Sequence, residues 1–144
     1  MRIVADAERG GGPATEAAIL AVVVGLLLAF AMAAGRLAAA ESAVDHAARS
    51  AARLASVQRD LTTGQAAAEE ESRRVLEGQG LACDHLDVAV EAEPPSAPIG
   101  VHAVIRARVT CAVRWSDLGL PGLRGGREVT ADFASPIDRY RERT

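Results

Sequence analysis

Residues 17–35, AAILAVVVGLLLAFAMAAG, form an unbroken run of nineteen residues without a charged or strongly polar side chain. In a helix such a run spans about 28 Å, close to the hydrocarbon thickness of a bilayer. A buried helix of a soluble fold is the competing reading. It would ask the remaining chain to enclose an apolar cylinder, and the 144 residues offer only two Phe, one Trp and one Tyr for the task. A membrane-inserting helix is therefore expected, with room for one small domain beyond it. Ala29-Phe30-Ala31 carries the small residues of a signal-peptidase site, and cleavage there would release a secreted protein. Because the apolar run continues past that motif into a helical pattern, an anchor that stays is favoured.

Downstream, residues 36–59 contain no Gly or Pro and are dominated by Ala, the best helix former. Leu37, Ala40, Val44, Ala47, Ala48, Ala51, Leu54 and Ala55 recur at three- and four-residue steps, opposite Glu41, Asp45, Arg49, Ser56 and Arg59. That spacing predicts an amphipathic stalk with a narrow stripe of small residues, continuous with the anchor. The segment DLTTGQ breaks it, and Thr62 with Gln65 reads as a capping box opening a second helix to about Leu76 or Glu77. Gly78 or Gly80 would end that helix.

Past Gly80 the period changes to two. Leu86, Val88, Val90 and Ala92 alternate with Asp87, Ala89 and Glu91, and EPPSAPIG then turns the chain. From Val101 to Trp115 apolar residues alternate with His102, Arg106, Arg108, Thr110 and Arg114, the pattern of a half-buried antiparallel strand. A Gly/Pro-rich loop and a third strand from Val129 to Phe133 follow. The expected fold class is α+β: a long N-terminal transmembrane and stalk helix, a second helix, and a three-stranded antiparallel meander. Its expected divisions are a leader over 1–11, the anchor and stalk over 12–60, and a small extracytoplasmic domain over 61–144.

Sixteen basic and nineteen acidic groups leave a net charge of −3, and every basic residue is Arg. With no positive stripe and no interleaved aromatics, nucleic-acid binding has little support. Arg2 and Arg9 precede the apolar run and Arg36, Arg49 and Arg53 follow it, so a count of basic residues does not fix the orientation. Cys83 and Cys111, the only cysteines, suit a disulfide in an oxidising compartment, with two unpaired core cysteines as the alternative. A zinc site from Cys83, His85, His102 and Cys111 lacks the usual Cys-x₂₋₄-Cys spacing, so no metal is expected. No nucleophile motif, phosphate loop, cofactor site or small-molecule site is found, and an enzyme is not expected. Glu16 stands out because it adjoins the apolar run. It reads either as an interfacial helix-start residue or as a partner for a positive group within the membrane.

The combination of RGGGPATEAAILAVVVGLLLAF, ESAVDHAARSAARLA, VLEGQGLAC, VIRARVTCAV and LGLPGLRGGREVTADFASPIDRYR resembles the TadE-like family, pseudopilins of the tight-adherence (Flp-type) pilus system. The resemblance implies a pilin-like architecture and cleavage by a prepilin peptidase on the cytoplasmic side. On this chain the cut would follow Gly11, leaving Gly12 as the first residue and Glu16 as the fifth. Three consecutive glycines and Pro13 depart from the usual pattern of the site. The implied role is a non-enzymatic minor pseudopilin or assembly component, with its N-terminus cytoplasmic and the bulk of the chain outside, incorporated in a pilus or held at its base. Implied partners are the prepilin peptidase, other pilins and pseudopilins, the inner-membrane platform protein and membrane lipid. The Arg-rich strand face would be available to one of them. The same features would also serve a signal-anchored or secreted envelope interaction protein, or a pseudopilin of a secretion or DNA-uptake machine.

Overall fold

The computed structural model describes residues 11–94, 102–118, 122 and 124–137, with side chains from residue 14 onward. Five elements follow one another: α1 (Gly11–Val57), α2 (Leu61–Gly78), β1 (His85–Glu93), β2 (Val104–Arg114) and β3 (Gly126–Pro136). The strands form one antiparallel sheet in the order β1-β2-β3. This is the α+β arrangement expected, a helix pair laid on one face of a meander.

α1 is a single helix of 47 residues, about 70 Å long. The small-residue stripe of its second half is the core: Ala40, Ala43, Val44, Ala47, Ala48, Ala51, Ala52 and Ala55 are all buried. They meet Ala68 and Leu76 of α2 and the sheet's inner face, where Val88, Ile105, Ala107, Val109, Cys111, Val113 and Val129 are buried. Short side chains let the layers approach closely, which suits a core with few large residues. On the flank of α1 beside β3, Arg49 donates to Asp45 at 2.6 Å and lies over the Phe133 ring, and on α2 Arg73 and Arg74 reach Glu69 and Glu70. These are exposed helix pairs of small energetic weight.

The start of α2 differs from the capping box expected. Asp60 is the N-cap, and its carboxylate accepts hydrogen bonds from the Thr63 backbone N–H (2.7 Å) and from the Thr62 and Thr63 hydroxyls (2.5 and 2.8 Å). An ionised carboxylate takes three donors at once, which a Thr62 hydroxyl cannot match. Gln65 turns away to the sheet instead. At the other end Gly80, with φ +72°, supplies the left-handed turn after α2.

These donors, the Thr62 hydroxyl foremost, hold the Asp60 carboxyl down at about 2, against 3.8 ordinarily. A depressed folded-state value stabilises the fold above about pH 4, and that share is lost as pH falls toward about 2. Asp60→Ala should therefore lower the thermal midpoint by a few degrees near neutral pH, and the gap to wild type should close on acidification over that window. A gap that persists unchanged to about pH 2 would rule out the charged cap as its source.

Strand β3 runs three residues further at each end than the alternation predicted. Gly125, at φ +89°, turns the chain into it. A Cβ at the next residue, Gly126, would run into the Val113 carbonyl oxygen, so this close approach of β3 to β2 requires glycine there.

Candidate membrane anchor and assembly face

The apolar N-terminal half of α1 is not buried against the rest of the described chain. Ile19, Leu20, Leu26, Leu27, Leu28 and Phe30 are all more than half exposed, Phe30 at 75%. By length and composition this stretch can cross a bilayer, and none of it is buried against the domain. Water would penalise so much bare aliphatic surface, whereas lipid removes the penalty while the helix satisfies its own backbone. The burial pattern changes at Ala40, beyond Arg36, and from there the same helix serves as a core element. One helix is thus a single-pass anchor in its first half and a scaffold in its second.

Gly11 and Gly12 lie in the first turn of α1, and Glu16 follows on the same helix with its side chain exposed. Gly12 and Glu16 are four residues apart, about 6 Å along the axis. Of the leader expected over 1–11, residues 1–10 lie outside the described residues, and Gly11 belongs to α1.

Cys83 and Cys111 form a disulfide, with Cα atoms 5.3 Å apart. Cys111 is fully buried on the inner face of β2, and the bond ties the entry of β1 to the centre of the sheet. Both sulfurs are committed to it, which removes two ligands from the zinc arrangement considered. His85 and His102 are exposed.

On the outer face of the sheet the arginines expected to be open to a partner are exposed but ion-paired. Arg106 makes a two-pronged contact with Glu93, both bonds 3.0 Å. Arg108 donates to Asp132 at 2.8 Å, and Arg114 lies within 3.4 Å of Asp84 and 3.3 Å of Asp117. The Arg106 guanidinium, by its hydrogen bond first and its charge second, holds the Glu93 carboxyl below the ordinary range. Alternation along β2 signals where the arginines point, but not that carboxylates on β1, β3 and the following turn stand opposite them. The face is a salt-bridged lattice of both signs.

Residues 12–53 match the family model described as TadE-like protein. This segment is similar to the TadE-like proteins. The match begins beside the expected processing site and ends four residues before α1 does, so it takes in the exposed anchor, Glu16 and most of the buried stalk. Neither a search of curated proteins nor one of solved structures finds a match.

Gln65, expected in a capping box, has a different role in the fold. The Gln65 side-chain amide donates to the Val88 carbonyl, and its oxygen accepts from the Val90 N–H at 2.9 Å. Gln65 thereby imitates a neighbouring strand along β1. No local sequence signal distinguishes it from a surface glutamine, because its partners lie 23 and 25 residues away.

Proposed function

We propose that the chain is a non-enzymatic minor pseudopilin or assembly component of a tight-adherence pilus, which enters the fibre or its base through α1. The observation that carries this reading is the bare apolar half of α1 lying within the TadE-like segment. A helix of this kind can leave lipid only for another environment that covers it, and packing against like helices supplies one. The prepilin peptidase cuts after Gly11 on the cytoplasmic side, Gly12 becomes the new N-terminus, and Glu16 takes up a neighbour's amine. Residues 36–144 then lie outside the cytoplasm, in keeping with a disulfide across the sheet. Other pilins and the inner-membrane platform protein are the partners.

N-terminal sequencing of the protein recovered from membranes tests the first step. In cells with the peptidase the chain should begin at Gly12, and in cells lacking it the residues before Gly12 should be retained. A chain beginning after Ala31, or the same start in both strains, would overturn the reading.

A further inference from the structure

The two edges of the sheet are finished differently. At β1, the Gln65 amide occupies Val88 and Val90. At β3, the Trp115 N–H donates to the Gly125 carbonyl (3.2 Å) and the Ile137 N–H to the Ala103 carbonyl (3.0 Å). Combined with the β2–β3 register, these two bonds make the odd-numbered residues of β3 the ones bonded to β2. The N–H and C=O groups of Glu128, Thr130, Asp132 and Ala134 therefore point away from it, at an edge that no described strand covers. A groove of about 440 Å³ runs along this edge, walled by Glu41 and Asp45 of α1 and by 127–132 of β3.

An open edge of this length is a template for another strand. Two copies of β3 set antiparallel about Thr130 would bring Glu128 opposite Asp132 twice, and like charges directly opposite are unfavourable. A strand with cations at alternate positions has the complementary pattern. The chain carries one, RYRER, with Arg139, Arg141 and Arg143 two residues apart.

We propose that residues 139–143 of one copy add to the β3 edge of a second copy as a fourth, antiparallel strand. Arg139 stands opposite Asp132, Arg141 opposite Thr130, and Arg143 opposite Glu128, which makes no ion pair among the described residues. Tyr140 then faces the groove beside Ala131. The donor has to be another copy. Within one chain Ile137 is still bonded to Ala103. Bringing Arg139 back level with Asp132 would then need a return of about 16 Å, five residues at about 3.3 Å each, with only Asp138 to make it. This contact does not depend on Glu16 or on the pilus reading.

The test uses the full chain in detergent micelles, as an equal mixture of isotopically heavy and light protein with a photo-reactive benzoylphenylalanine in place of Tyr140. Mass spectrometry should find heavy-to-light cross-links from position 140 to the 128–132 region. Thr130→Pro removes an edge-facing N–H without touching the ladder to β2, and should reduce the cross-link about ten-fold. Glu128→Arg and Arg143→Glu should each reduce it about three-fold, and combining them should restore it. Cross-links confined within one chain, cross-links to another surface, no cross-link at all, or single charge variants without effect would each overturn the proposal. Should Thr130→Pro fail to fold, the charge exchange decides alone.

Discussion

Replacing Cys83 and Cys111 together by Ala should destabilise the domain by about 3.5 kcal/mol. The bond closes a loop over a sequence separation of 28, and the chain entropy it removes from the unfolded state corresponds to about that figure. A small domain commonly has a total of about 5–15 kcal/mol, so the loss is a large part of what is available. Little else compensates. The stalk contributes mostly alanines to the core, and the largest fully buried side chains are Leu76, Val44, Val109 and Val113. Alanine avoids leaving a polar group at Cys111, so the effect reports the lost cross-link and a small void. Urea denaturation of the full chain in micelles, followed by Trp115 fluorescence, should show a midpoint well below that of wild type, and reductant should bring wild type to nearly the same place. Equal midpoints with and without reductant would show that the bond carries none of the stability.

The second large effect is expected at Glu16. Glu16→Gln should leave synthesis, membrane insertion, cleavage after Gly11 and the disulfide intact, yet cut recovery in pili or with the platform protein by at least about ten-fold. A carboxylate entering the lipid boundary loses water, and so would the amine that the proposed cleavage would create at Gly12. When one subunit is displaced along the axis by about 6 Å relative to its neighbour, the two groups come level and each removes the other's penalty. Glutamine keeps the size and the helix but not the charge. An interfacial glutamate serving only its own helix predicts a different outcome, a local change well under about 1 kcal/mol and normal recovery. Quantitative pull-down alongside N-terminal sequencing of the variant separates the two. Correctly processed Glu16→Gln recovered at the wild-type level would remove Glu16 from the site.

Where period and composition agreed, the sequence was a sufficient guide. The apolar run of 17–35, the alanine stripe and the alternation of 103–113 each have one physical solution, and the structure adopts it. Legibility ended where the deciding partner was distant or chemically stronger than the local motif. Asp60 displaced Thr62 as the cap because an ionised carboxylate accepts more bonds than a hydroxyl. β3 grew beyond Val129–Phe133 because the long β2 ladder gives Arg127 and Ser135 hydrogen-bonding partners that their own polarity would not suggest. The arginine surface was legible as positions but not as charge, since its neutralising carboxylates come from other strands. For Gly11, Gly12 and Glu16 the structure adds a common helix and an exposed carboxylate, while their roles rest on the experiments above.

Because α1 continues without a break from the exposed anchor into the alanine core, the domain has no swivel at the lipid surface. Its azimuth about the membrane normal is set by counting residues. Each residue inserted between the two halves would turn the domain by about 100° and lift it about 1.5 Å. A seven-residue insertion nearly restores the heading, falling about 20° short of two full turns, while raising the domain by about 10 Å. Direction and height are coupled through one screw, so a contact at the membrane and a contact on the sheet can be satisfied together only at discrete lengths of helix.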